Sequence, residues 1–142
     1  MSVVFVTVLT ALVIGPCRGD AQTLPPPLAV VDTNAVPRVS TEQLKGLLET
    51  AAAIVIDVRT PESFAAGHIA GAVNVPLPDV ESRARELRDL ARGRAVVAYC
   101  SCPDEHASIA AGVILIRHGV PGVSALTGGY PAWVKGGGKT GK

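Results

Sequence analysis

AIVIDVRTPESFAAGHIAGAVNVP, residues 53–76, sets the architecture. Its first six residues are an apolar run broken only by Asp57, the signature of a strand buried on both faces, as in a parallel sheet. Thr60 and Pro61 then supply an N-cap and a first-turn proline for a short helix through Phe64 that stops at Gly67. AVNVP returns the chain to a short strand ended by Pro76. Strand, helix and strand within 24 residues predict a βαβ-type unit.

The same alternation extends outward. Upstream, Ser40 with Gln43 forms a capping box, and Leu44, Leu47 and Leu48 follow at helical spacing, predicting a helix over 41–50. Downstream, Asp79 is expected to cap a helix carrying Val80, Ala84, Leu87 and Ala91 on one face. RAVVAY, residues 94–99, is a second buried strand, followed by the polar loop CSCPDEH and a helix from about Ala107 to Arg117 closed by Gly119. GVSAL makes a last strand and GGYPAW a terminal helical piece. The expected class is therefore α/β: a small parallel sheet of about five strands with helices on both faces. Strand order is not fixed by this pattern.

The chain has 142 residues, enough for one domain and an appendage. The domain is expected over residues 38–135. Before it, residues 22–37 are a proline-rich linker; after it, GGGKTGK, residues 136–142, is expected to be a flexible glycine-rich tail. Residues 1–21 read as a secretory signal peptide. An apolar run from Val3 to Ile14 precedes small residues at Gly19 and Ala21, placing the cut before Gln22, although no Lys or Arg precedes the run. The run is too short to span a bilayer, which takes about 20 apolar residues. A lipid anchor on Cys17 would require a small residue where Pro16 stands. The expected localisation is periplasmic or secreted. Thirteen basic against 12 acidic residues give a net charge of +1, which excludes an electrostatic case for nucleic acid or an anionic membrane surface as partner. Three cysteines do not make a disulfide scaffold.

The chemistry is expected where a parallel strand ends and a helix N-terminus begins, because unpaired N–H groups there stabilise anions. Cys100 follows RAVVAY directly, and a thiolate at that point would be stabilised by loop amides and the helix dipole. Asp57 ends a buried strand and needs a partner, which Arg59 or loop amides can supply. His68, in a turn, reads as a hydrogen-bonding tie, and His118 as a group at a helix C-terminus.

Three segments together resemble the rhodanese-like sulfurtransferase family: IDVRTPESFAAGHIAGAVNVP (56–76), VVAYC with its loop and helix (96–117), and GGYPAW (128–133). The resemblance implies a five-stranded α/β fold and a loop cysteine that takes sulfane sulfur as a persulfide. It passes the sulfur to a thiol or cyanide-type acceptor, and no cofactor or metal is needed. By the same resemblance Asp57 and Arg59 are supporting residues, and Glu62, Gly67, His68, Gly71 and Asn74 are framework. The loop departs from the family pattern. Counting from the strand selects Cys100 as nucleophile, whereas counting back from Ser108 and Gly119 selects Cys102; strand geometry favours Cys100. Ser101, Pro103, Asp104, Glu105, His106, Ala107 and Ser108 make up the rest of the substrate loop. Asp104 and Glu105, with no Arg or Lys beside them, are expected to flank the thiol, raise its pKa and repel thiosulfate. The implied partners are a small sulfur donor and a thiol acceptor; oligomeric state has no signature here.

Two alternatives arise from the same residues. Cys100, Cys102 and His106 together could bind a soft metal, or the two cysteines could form a strained, readily reduced disulfide. Phosphatase chemistry would need an arginine where the loop has His106 or Ser108.

Overall fold

The computed structural model describes residues 32–142; the expected signal peptide and the first part of the expected linker lie outside the described residues. The strands are β1 (Arg38–Val39), β2 (Ala53–Asp57), β3 (His68–Ile69), β4 (Val73–Asn74), β5 (Ala95–Tyr99), β6 (Val123–Leu126) and β7 (Thr140–Gly141). The helices are α1 (Thr41–Glu49), α2 (Pro61–Ala66), α3 (Val80–Ala91), α4 (His106–Arg117) and α5 (Gly129–Lys135). Five strands form a parallel sheet in the order β1-β6-β5-β2-β4, and β3 pairs with β7 in a separate antiparallel ribbon.

Strand side chains alternate between two cores, as the two-residue period requires. Ile54, Ile56, Val96 and Ala98 face α3 and α4, meeting Val80, Ala84, Leu87, Ala91, Ala111 and Leu115. Ala53, Val55, Val97 and Tyr99 belong to the opposite core, with Leu44 of α1 and Trp133 of α5. Both faces are thus covered, which is why the central strands read as unbroken apolar runs. The expected caps form at two helices: Ser40 Oγ accepts the Gln43 N–H while Gln43 Oε1 accepts the Ser40 N–H, and Thr60 Oγ1 accepts the Ser63 N–H.

Three expectations are corrected. Asp79 makes no side-chain cap at α3; it closes a 3-10 turn over Leu77–Asp79 that leads straight into the helix. The folded unit begins before Arg38. Asp32 caps a 3-10 turn over Thr33–Ala35, and Val36, 1% exposed, packs on Ile109, Val113 and Ala125. Gly112 of α4 permits this, because a Cβ there would lie 2.7 Å from Val36 Cγ1. Residues 136–142 are not a free tail. Gly138 N–H bonds to Trp133 O at 2.9 Å, Trp133 Nε1 donates to Lys139 O at 2.9 Å, and β7 then pairs with β3, His68 opposite Gly141 and Ile69 opposite Thr140. The glycines allow the tight turn and the close approach to the His68 ring.

Candidate active site

Strands β2 and β5 run side by side with Asp57 opposite Tyr99, so their carboxyl ends open together, with Arg59 two residues past one and Cys100 immediately past the other. Asp57 is fully buried and its charge is matched locally. Arg59 Nε lies 2.9 Å from Oδ1, Arg59 Nη2 2.6 Å from Oδ2, and the Arg59 N–H donates to Oδ1 at 2.9 Å. The Tyr99 hydroxyl donates to Asp57 Oδ2 at 2.5 Å and accepts the Ile69 N–H at 3.1 Å. Burial, reinforced by the adjacent carboxylate, pushes the Tyr99 phenol well above its ordinary pKa. Burial pulls the Arg59 guanidinium down, but its bond to Asp57 more than offsets this, leaving its pKa raised. Arg59 also donates to Gly67 O at 2.7 Å, lies 4.3 Å from the Tyr130 ring centroid, and reaches Ser101 Oγ at 3.5 Å. The pair expected from the sequence therefore forms a brace linking two strand ends to the loop.

Cys100 is 2% exposed. Its Sγ accepts the Cys102 N–H at 3.4 Å and contacts Ser108 Oγ at 3.8 Å, while Ser108 Oγ donates to Glu105 O at 2.9 Å. Its carbonyl accepts the Tyr130 N–H at 2.8 Å. That contact requires glycine at 129, with φ of 56°, because a Cβ there would sit 2.2 Å from Cys100 O. The GGYPAW segment thereby fixes the start of the loop, a role the sequence reading did not assign to it.

The remaining loop residues divide between two sides. Ser101, Pro103 and Asp104 are exposed; Ala107 and Ser108 lie in the first turn of α4, which begins at His106. Cys102 is half-buried. Burial, then the neighbouring Cys100 thiol, push the Cys102 thiol up, while the Ala107 N–H acts in the opposite direction. Cys102 Sγ stands 3.9 Å from His106 Nε2, and His106 Nδ1 is 2.8 Å from Asp104 Oδ1. The hydrogen bond to His106 pulls the Asp104 carboxyl below its usual range.

Glu105 departs from the expectation that it flanks the thiol. It is buried, in the left-handed region with φ of 59°, and its carboxylate accepts from Arg38 Nε at 3.0 Å and from the Gly128 N–H at 2.7 Å. Its charge is held by Arg38 and an amide, so Asp104 is the loop carboxylate left at the surface, and it too is paired. The metal set expected as Cys100, Cys102 and His106 is also revised. The ligand atoms that come within 4.8 Å of one another are those of Cys102, Asp104 and His106. Arg38, Tyr99 and Gly129 are the supporting residues that sequence reading missed, since each acts through a partner distant in the chain. His68 is the expected tie, with Nδ1 2.9 Å from Phe64 O and its ring stacked on Phe64 at 3.8 Å.

Known proteins resemble the same region of the chain. The family described as Rhodanese-like domain matches residues 40–136. A chloroplastic thiosulfate sulfurtransferase of Arabidopsis thaliana is 35% identical over 89 residues, covering 58% of this chain and 74% of the relative. Thiosulfate sulfurtransferase GlpE of Pseudomonas putida is 33% identical over 96 residues, covering 68% of this chain and 83% of the relative. Among solved structures, a rhodanese-like domain from Anabaena sp. superposes with a TM-score of 0.64 at 32% identity, covering 74% of this chain and 78% of that one. The human single-domain sulfurtransferase does so with a TM-score of 0.60 at 27% identity, covering 70% and 96%.

Proposed function

Because this chain belongs to the Rhodanese-like domain family, we propose that it is a sulfurtransferase whose Cys100 thiol carries sulfane sulfur from a small donor to a thiol or cyanide-type acceptor. The observation that carries the reading is the setting of Cys100: first residue after a central parallel strand, carbonyl pinned by Tyr130 N–H and sulfur accepting the Cys102 N–H. With thiosulfate, the Cys100 thiolate attacks the outer sulfur, the donor S–S bond breaks, and sulfite leaves with the bonding pair. The resulting Cys100 persulfide is attacked at its outer sulfur by the acceptor, and the Cys100 thiolate is released. No external oxidant or reductant is consumed. The Cys102 N–H is placed to stabilise charge on the sulfur that alternates between thiolate and persulfide. The near-neutral charge gives no reason to invoke a nucleic-acid partner, and among the described residues no helix is long and apolar enough to cross a membrane. Export through residues 1–21 is part of the proposal.

The test is intact-mass spectrometry after exposure to thiosulfate or a polysulfide, before any acceptor is added. The expected result is one added sulfur atom in the native chain and in Cys102→Ser, and none in Cys100→Ser, whose hydroxyl cannot hold a sulfane sulfur. Full loading of Cys100→Ser with none in Cys102→Ser would move the nucleophile to Cys102. No loading of the native chain, with a retained metal ion, would replace sulfur transfer by metal binding.

A further inference from the structure

We propose that Cys102 is a second transfer thiol, activated by His106 and Asp104, which takes the sulfane sulfur from Cys100 and presents it to a thiol acceptor at the surface. The inference rests on the reading of Cys100 as the sulfur-loaded cysteine and adds an exit route to it.

The two sulfurs differ in access. Cys100 is 2% exposed, enough for a small donor but a poor target for a bulky thiol, whereas Cys102 is half-buried and only two residues away. They are also neighbours in space: the Cys102 N–H donates to Cys100 Sγ at 3.4 Å. Beyond Cys102 runs a chain of groups in the order used to activate nucleophiles, with thiol to imidazole at 3.9 Å and imidazole to carboxylate at 2.8 Å. The Asp104 bond to Nδ1 keeps that ring proton on Nδ1, which leaves Nε2 as the acceptor facing the thiol. The local fold assembles the three. The Glu105 N–H bonds to Cys102 O at 3.2 Å, closing a turn that folds Cys102 back over the start of α4, where His106 is the first residue. Burial pushes the Cys102 thiol up, so a base beside it has a task.

The step balances. His106 Nε2 takes the Cys102 proton as the sulfur attacks the outer sulfur of the Cys100 persulfide. The Cys100–sulfur bond breaks with its electron pair going to Cys100, which leaves as thiolate, and the imidazolium offsets that charge. The sulfane sulfur keeps its oxidation state. Attack on the inner sulfur would instead close a disulfide across a single intervening residue, a strained ring. The ligand atoms of the same three side chains lie within 4.8 Å of one another, so an ion held there is the rival that the test below must separate from the relay.

Single-turnover discharge of the sulfur-loaded protein decides the matter. The chain is loaded with polysulfide, freed of donor, and discharged either to glutathione or to cyanide, with the sulfur located by alkylation and peptide mass. In Cys102→Ser, uptake of one sulfur persists while discharge to glutathione falls on the order of 100-fold or more, and discharge to cyanide falls far less. His106→Gln strands the sulfur on Cys100 and slows glutathione discharge by a similar factor. Asp104→Asn, a positioning change, slows it by about 10-fold, and Asp104→Glu restores much of the rate. Equal glutathione rates in all variants, or sulfur never found on Cys102, would overturn the relay while leaving Cys100 chemistry intact. A native chain that takes up no sulfur would remove the underlying reading as well. A metal ion released by Asp104→Asn would replace the relay with an ion site.

Discussion

Glu105 holds its carboxylate between Arg38 and the Gly128 N–H while its own backbone sits at positive φ. Nothing in PDEH distinguishes it from Asp104, because its partners come from the start of the domain and from the GGYPAW segment. Glu105→Ala should therefore destabilise the fold by about 1–3 kcal/mol, by leaving the half-buried Gly128 N–H without its acceptor. Glu105→Gln, which keeps an acceptor, should cost less, and exposed Asp104→Asn little. Urea unfolding followed by Trp133, the single tryptophan and 2% exposed, measures all three; equal midpoints for Glu105→Ala and Asp104→Asn would dismiss the strut. Tyr99 gives a pH prediction of definite sign. Its folded pKa is raised, so its contribution is complete below the unfolded value of about 10 and is lost as pH rises above it, where the unfolded chain releases the proton first. The unfolding free energy should fall over that alkaline range, and Tyr99→Phe should flatten the slope at the expense of stability at neutral pH. The need of Asp57 for a partner was legible from a charge at the end of an apolar strand; the tyrosine that completes it was not, since a Tyr in a buried run looks like packing.

Helices α1 and α2 were legible because their signals are local: an oxygen at the cap, a carboxamide three residues on, a proline in the first turn. The paired β3 and β7 were not. GGGKTGK states only that the backbone is free to bend, and what it bends toward, His68 and Ile69, lies far upstream in the chain. Truncation after Gly136 removes both β7 and the carbonyl that accepts Trp133 Nε1, so it should destabilise the domain by about 2–3 kcal/mol, at about 1 kcal/mol for each lost hydrogen bond, and shift the Trp133 emission. An unchanged urea midpoint would show that the ribbon adds nothing. A second contact between elements is that of Val36 with α4. Gly112→Ala gains helix propensity worth about 1 kcal/mol but drives a methyl group into Val36. The single change should destabilise, and the double change Val36→Ala with Gly112→Ala should recover part of the loss. Absence of any such coupling in a double-mutant cycle would show that the N-terminal turn is not docked as described.

Over the whole molecule, the layers were legible and the strand order was not, because short buried apolar runs can be stacked in several orders, and the edge strand β1 has only two residues to signal it. The observed order puts β5 and β2 at the centre, with Cys100 and the Asp57–Arg59 brace at their carboxyl ends, where open parallel sheets place reactive groups. Export belongs to this scale too. N-terminal sequencing of the chain isolated from its host should begin at or near Gln22, and a chain starting at Met1 in the cytoplasm would end that proposal. The sheet order bears on how such a chain could be delivered. A growing polypeptide has β1 long before β6, its strand partner among the described residues, and β3 long before β7. Contacts this distant in sequence close late, so an edge of the sheet stays open until β6 has been made and the antiparallel ribbon until β7 has been made. If residues 1–21 direct export as proposed, this order of synthesis would leave an interval in which the unfinished fold could still be threaded through a narrow pore.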